Sequence, residues 1–594
     1  MPRCMAGCVS WRKKENNKRK RGAVGYGSSS AGSRSAVLLD ALQKFGLALH
    51  FSLDLLQGCK NIIQYDFFHG GSSLFYLSIP WFSTGGKAPG LTMCGRYGKI
   101  GRLIDGNLCF FFILSSHSPV IMGRTSILPQ GGHPLDILHS FYNIISGLGS
   151  FLLIPVFFFL LGMASHAGFQ RSGQCALAVL GSTVAIQLLI STLSGQLVTL
   201  VNTMIDTYSL STGAANLHWQ AAAEVTTNSD ILYWVLPGAI LLNLLMLAFR
   251  VTRVLNMDLW SLWQAAFVGV LVQQLTGEMW FGLAAALLMI VLQIILADVL
   301  AAPVARLMGT PHITFTQSFA VGAAPLAWLC NFLINKIPGL RDRRVSLEQS
   351  RRGNFLLEPS LWGLLLGFIM GMAAGLPLYD AVSFALVAAG CLFALPRLLR
   401  VFGRAAASVL EPLAARKAHR GRLPLNVAVN AVVGTANATT LLSAILLVPI
   451  TVALAAVLAG NLVLPQADVA MLLYLMIFVT AMSGGCLLRS LVTGLISAIA
   501  MLYSGTLLTY LFTGAAKAMD AATYGAGQYN TLCNSANPLS LLFVEGASFG
   551  IAGIAALAVL VLGICFLAGR RLRHMTQRLM NPTADSEQES PAEN

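Results

Sequence analysis

Charge is what this sequence has least of. Only 11% of its 594 residues are Asp, Glu, Lys or Arg, while 56% are hydrophobic and the mean hydropathy is +0.69. A water-soluble enzyme of this length needs far more polar surface, so the chain is expected to cross a bilayer many times. Catalytic signatures are missing as well. There is no Walker loop, no dinucleotide-binding glycine fingerprint, no nucleophile elbow and no HExxH. An ATP-driven pump is therefore excluded for this chain alone, and no catalytic residue is nominated. The 11 cysteines include no CxxC, and Cys330, Cys391, Cys486 and Cys565 lie in or beside apolar runs, where thiols behave as small hydrophobes. No disulfide framework, metal site or cofactor is expected.

A net charge of +15 would suit nucleic acid. The basic residues, however, sit in an N-terminal run and in short segments between apolar stretches, which is the pattern of cytoplasmic membrane loops. Those segments are Arg250 with Arg253, Lys336 to Arg352, Arg397 to Arg422 and Arg570 to Arg578. On that pattern the C-terminus is expected to lie inside.

Residues 1–135 differ from the rest. WRKKENNKRKRG (Trp11 to Gly22) reads as a solvated basic tail, and a Gly/Ser-rich linker follows it. No apolar core comes directly after the basic run, so it is not a signal peptide. The region is expected to be a poorly ordered extension or the product of a start codon called too far upstream, and deletion of residues 1–130 is expected to leave insertion of the remainder into a membrane intact.

From Ser140 onward, runs of spanning length appear near 141–163, 175–203, 231–249, 279–302, 356–376, 380–398, 441–461, 468–482, 487–513 and 549–569. Pieces near 262–275, 318–334 and 426–438 are too short or too polar for spans and read as re-entrant or interfacial. The expectation is an all-α polytopic membrane protein with about 10–11 transmembrane helices. Its proposed divisions are a first repeat (136–345), a second repeat with a final helix (346–575) and a disordered tail (576–594).

The repeat rests on ordered matches. Gly162-Met163-Ala164 recurs as Gly371-Met372-Ala373, Pro237 matches Pro449, Asp258 matches Asp468, and Pro325 matches Pro538. If each half crosses the membrane an odd number of times the halves are inverted, an arrangement that puts a site at the midplane.

Each half also contains a polar, Pro-terminated interruption. Thr310 to Leu326 reads TPHITFTQSFAVGAAPL, and Gly525 to Leu539 reads GAGQYNTLCNSANPL. Unpaired polar groups in hydrocarbon cost several kcal/mol each, so both stretches should face a polar cavity and meet there. The candidate substrate-binding residues are His312, Thr316, Gln317, Gln528, Asn530, Asn534, Ser535 and Asn537, whose amides, hydroxyls and imidazole suit a polyhydroxylated ligand. Glu278, in TGEMW between two apolar segments, joins them. Other ionisable residues near the spans, such as Asp258, Asp298 and Asp468, are expected mostly at span ends.

Laid out this way, Ile137 to Arg573 resembles the galactitol-type membrane subunit (EIIC) of the bacterial phosphoenolpyruvate:sugar phosphotransferase system. The likeness is carried by ILHSFYNIISGLGSFLLIPVFFFLLGM, LLNLLMLAFRVTRVLNMDLWSLWQAAFVGVL, TPHITFTQSFAVGAAPLAWLCNFLINKIPGL and GNLVLPQADVAMLLYLMIFVTAMSGGCLLRSLVTGL. The stretch HWQAAAEVTTNSD (His218 to Asp230) departs from the family's usual D-x-G-W-P-like segment. The resemblance implies a homodimeric inner-membrane permease of the ascorbate/galactitol superfamily with inverted repeats. It would take up a sugar alcohol or related carbohydrate while a separate EIIB, charged by EIIA, phosphorylates it. The competing reading is a cation-coupled secondary carbohydrate transporter with its ion on Glu278 or an aspartate.

Overall fold

The computed structural model describes residues 152–337 and 355–580. The N-terminal extension, most of the Lys336 to Arg352 loop and the tail beyond residue 580 lie outside the described residues.

The described residues are mostly helical, as their apolar runs dictate. Seven described helices are long and apolar enough to cross a membrane: Phe169–Tyr208 (α2), Ile231–Ala248 (α4), Met279–Met308 (α6), Leu378–His419 (α10), Ala438–Val457 (α12), Leu487–Met519 (α14) and Gly550–Met580 (α17). Shorter apolar helices accompany them, namely Leu152–Ala164 (α1), Pro359–Ala373 (α9), Met471–Met482 (α13) and Pro538–Ala547 (α16). The protein is thus an all-α polytopic membrane protein. The run near 468–482 is a helix of only 12 residues because Leu462 to Asp468 ahead of it is not helical. The piece near 262–275 is a continuous 18-residue helix, Leu259–Thr276 (α5), enclosed by other helices over most of its length. The stretch 318–334 is two helices, Ser318–Gly322 (α7) and Ala324–Ile334 (α8).

The order of the main helices in residues 152–334 is similar to that in 359–547, although Val254–Asn256 and Ser318–Gly322 in the first stretch and Ala521–Tyr524 in the second have no counterpart in the other. A Cβ on Gly162 would lie 2.9 Å from Ser172 Cβ, and one on Gly371 would lie 3.0 Å from the matching Ala381. Gly363, Gly367 and Gly371 fall four residues apart on one face of α9, and each meets α10 at Ala388, Ala385 or Ala381. Small residues at this spacing let two helix backbones approach within the bilayer.

The two longest helices, α2 and α10, pack along one another. Cys175 Sγ donates to Ala405 O and Cys391 Sγ donates to Leu189 O, so residue numbers rise on one helix as they fall on the other. The two helices are antiparallel.

Short strands, which hydropathy does not reveal, tie the halves together. Ala215–Leu217 (β1) pairs in parallel with Tyr529–Thr531 (β5), and Asn426–Ala428 (β4) lies between Val254–Asn256 (β2) and Ile313–Thr314 (β3). Every pairing joins one half to the other. The remaining described helices are short: Trp219–Thr227 (α3), Val432–Thr435 (α11) and Ala521–Tyr524 (α15).

One buried charge inside this body is fully paired. Asp298, in the middle of α6, accepts from Arg253 Nε at 3.0 Å and Nη2 at 2.7 Å, from the Arg253 backbone N at 2.7 Å and from Thr252 Oγ1 at 3.0 Å. Full saturation of the carboxylate is what makes burial of such a pair tolerable.

Candidate functional site

The two polar interruptions meet. Ser318 Oγ lies 2.5 Å from Asn534 Oδ1 and 3.0 Å from Gln264 Oε1, its one proton serving either, while Asn534 Nδ2 donates to Gln264 O at 2.6 Å. Asn537 Oδ1 occupies the space beside Gly322, where a Cβ would come within 2.1 Å of it. His312 and Asn534 both have left-handed backbones, with φ of 65° and 66°. One residue of each interruption therefore makes a turn that β-branched residues avoid.

Beside this junction is a cavity of ≈ 290 Å³. Small-molecule sites start at about this size. Five helices begin at its wall. Trp219 opens α3, Trp260 is the second residue of α5, Gln317 precedes α7, Ala431 precedes α11, and Ala470 with Met471 starts α13. Helix N-termini carry unpaired N–H groups and partial positive charge, so their convergence favours an oxygen-rich occupant. Asp258 accepts from Trp260 N at 3.2 Å, and Asn430 accepts from Val432 N at 2.9 Å, which holds two of these helix starts in place.

The opposite wall is one face of α2. Gln187, Ser191 and Ser194, spaced by four and three residues, line the cavity together. Trp219, Trp260 and Trp263 form a cluster with ring centroids 5.0–6.5 Å apart, and the first two present to the cavity. Asp468 is the one ionisable carboxylate among the lining residues, and no Lys or Arg lines it. His218 Nδ1 stands 3.7 Å from Asp468 Oδ1, an ion-pair distance, and this carboxylate raises the imidazole pKa. Ser194 Oγ and Gln317 Oε1 are buried with no hydrogen-bond partner among the described residues. An unpartnered buried acceptor of this kind is expensive unless something else donates to it.

Of the residues nominated from sequence, Gln317 lines this cavity. The others do not. Asn530 bridges Asn216 and Leu462 O at 2.8 Å each. Asn537 caps α16 by accepting from Leu539 N at 3.0 Å. Ser535 bonds Thr531, and Thr316 Oγ1 donates to Asn256 Oδ1 at 2.7 Å. His312 is half-buried and its carbonyl accepts from Val427 N. Gln528 is exposed, and so is Glu278, which precedes α6 at a surface turn. These asparagines and hydroxyls shape the junction by satisfying backbone groups and one another.

The lining residues that sequence reasoning did not select are Gln187, Ser191, Ser194, Trp219, Trp260, Asn430 and Tyr474, with Asp468 held to be a span end. The polar stripe on α2 was a visible signal. The tryptophans signal a site only once the helix starts are brought together.

Residues 143–526 match the family model EIIC-GAT, described as the PTS system sugar-specific permease component. The chain belongs to the EIIC-GAT family. Among curated relatives, a protein of Escherichia coli K12 named "Putative permease IIC component" is 25% identical over 435 residues, covering 73% of this chain and 99% of its own length. The "PTS system galactitol-specific EIIC component" of the same strain is 24% identical over 437 residues, covering 72% of this chain and 96% of its own length. The protein of the same name from Escherichia coli O157:H7 gives the same values. As an EIIC-GAT protein the chain is a membrane-embedded PTS sugar permease component, and the family implies a carbohydrate substrate together with EIIB and EIIA. Among the described residues no cluster of His, Cys, Asp or Glu could hold a metal ion.

Proposed function

We infer that the ≈ 290 Å³ cavity is the carbohydrate site of this EIIC-GAT permease, and that its substrate is an uncharged polyol or related carbohydrate phosphorylated by a separate EIIB. One observation carries the substrate class. The lining combines amides, hydroxyls and two indole faces with a single carboxylate and no cationic side chain. An anionic sugar would meet Asp468 with no cationic side chain in the lining to hold it, His218 being outside the lining and already set against Asp468, whereas a neutral polyol donates to Asp468 and Gln317 and lays its C–H face on Trp219 or Trp260. Trp219 belongs to the stretch that departs from the galactitol-type pattern, so Trp219 is the residue proposed to set which polyol is taken.

Inverted repeats are the second part of the reading. The antiparallel packing of α2 on α10 and the exchange of strands between halves support a two-fold axis through the junction of Ser318 and Asn534. Rocking of the halves about such a site would alternate its access. An inner-membrane location, a C-terminus on the cytoplasmic side and a homodimer are proposed on the family's behaviour and on the arginines of α10 and α17.

The test is uptake of labelled hexitols and pentitols into cells that express this chain with a cognate EIIA and EIIB. Collapse of the proton and sodium gradients should leave uptake intact while phosphoenolpyruvate is supplied, and the label should accumulate as a phosphate ester. Uptake that stops with the gradients and delivers free polyol would establish the cation-coupled alternative instead.

A further inference from the structure

A second cavity, of ≈ 440 Å³, lies between the C-terminal turn of α6 and the arginine-rich half of α10. At 42 residues, α10 is about 63 Å long, twice the ~30 Å hydrocarbon thickness, so part of it extends beyond the apolar layer. Arg306, Arg400 and Arg404 line this cavity with Glu411, giving three cationic side chains against one anionic. Arg306 and Arg404 make no ion pair or hydrogen bond with any described residue, and both are exposed into the space. Arg400 and Arg404 are one turn apart on α10, with Gly403 between them. A Cβ on Gly403 would lie 2.7 Å from Thr310 Cγ2, so the bare backbone brings α10 against the Gly309 turn and closes the floor.

Three guanidinium groups converging on an open cavity, two of them without a partner among the described residues, are suited to an anion with several oxygens. The cavity is also close to the carbohydrate site. Pro311 lines it, the carbonyl of the next residue, His312, accepts from Val427 N at 2.8 Å, and the chain runs from Val427 past the end of β4 to Asn430, a lining residue of the first cavity. Three residues of chain span at most about 10 Å.

We propose that Arg306, Arg400 and Arg404 form a phosphate-binding site. Two sources present the same chemistry: the monoester of a small phosphorylated polyol, or the diester headgroup of an anionic lipid seated between helices. Glu411 weakens the site by repulsion and so keeps occupancy reversible.

The experiment uses the purified full chain in an uncharged detergent. Inorganic phosphate and glycerol 3-phosphate are titrated by calorimetry, and phosphatidylglycerol carried through purification is counted by native mass spectrometry. Binding of glycerol 3-phosphate or inorganic phosphate identifies a monoester site, and retained phosphatidylglycerol without response to either identifies a lipid site. In both cases R306Q/R404Q should weaken binding by about tenfold or more, and E411Q should strengthen it by about threefold to tenfold. Thermal melting of each variant checks its fold. The proposal is overturned if no phosphate compound binds, or if R306Q/R404Q binds as the wild type does. Should that variant fail to fold, unchanged affinity in E411Q overturns it equally. Binding is read without transport, so its failure leaves the carbohydrate reading standing.

Discussion

Replacing Gln317 with Met separates a side chain kept for a ligand from one kept for the fold. Gln317 is 2% exposed, lines the carbohydrate cavity, and has an Oε1 with no hydrogen-bond partner among the described residues. Met has nearly the same length and shape, so Q317M removes the polar atoms and leaves the packing. In the empty protein this discards an unsatisfied acceptor, and the melting temperature should hold or rise. In the complex it removes a neutral hydrogen bond whose protein partner is already desolvated, a loss of about 1–3 kcal/mol, or roughly fivefold to a hundredfold in Kd. Asn537→Ala is the contrasting case. It deletes the acceptor for Leu539 N at the start of α16, costing about 1 kcal/mol of stability while leaving affinity nearly unchanged. Calorimetric titration of both variants with the polyol that the wild type binds, alongside thermal melting, reads the pair. Full affinity in Q317M combined with a lowered melting temperature would show that the side chain serves the fold, and the reasoning would fail.

Other consequences follow from the packing and the aromatic cluster. Trp219→Ala should reduce polyol affinity by about tenfold through loss of a stacking face, and a binding isotherm identical to that of the wild type would remove Trp219 from the site. Arg253→Gln leaves Asp298 with Thr252 and one backbone N–H alone. It should destabilise the protein by about 3 kcal/mol, with much of that recovered in R253Q/D298N. Thermal melting that shows no recovery would contradict the assignment of the cost to an unpaired buried charge. Gly367→Leu drives a side chain into the Ala385 backbone, 3.0 Å from where its Cβ would lie. Loss of at least about 2 kcal/mol is expected, and a monodisperse, wild-type melting profile would show that α9 and α10 are not so closely held.

Hydropathy locates the long helices because the bilayer demands continuous apolar stretches, and the seven longest are where such stretches lie. It also anticipates that the interruptions at Thr310 to Leu326 and Gly525 to Leu539 meet, since polar backbone in an apolar body needs polar company. The strands are a different matter. Residues Asn216 and Asn530 are 314 positions apart and belong to three-residue segments, too short for any alternation to show. The same limit explains the site. Asn530, Asn534 and Asn537 look like ligand groups in the sequence, yet broken helices expose many backbone N–H and C=O groups, and these side chains are spent on them. The cavity instead draws on Gln187, Ser191 and Ser194. Hydroxyls on a spanning helix usually bond back to their own backbone, and that ordinary explanation hid the stripe.

Tryptophan emission tests the location of the carbohydrate site most directly, because Trp219 and Trp260 line the cavity while Trp280 and Trp328 are exposed elsewhere. Titration of the purified chain with its polyol should give a saturable change in fluorescence that disappears in W219F/W260F and persists in W280F/W328F. Saturable binding with a signal that survives the first pair and vanishes with the second would put the carbohydrate somewhere other than the cavity where the five helices begin.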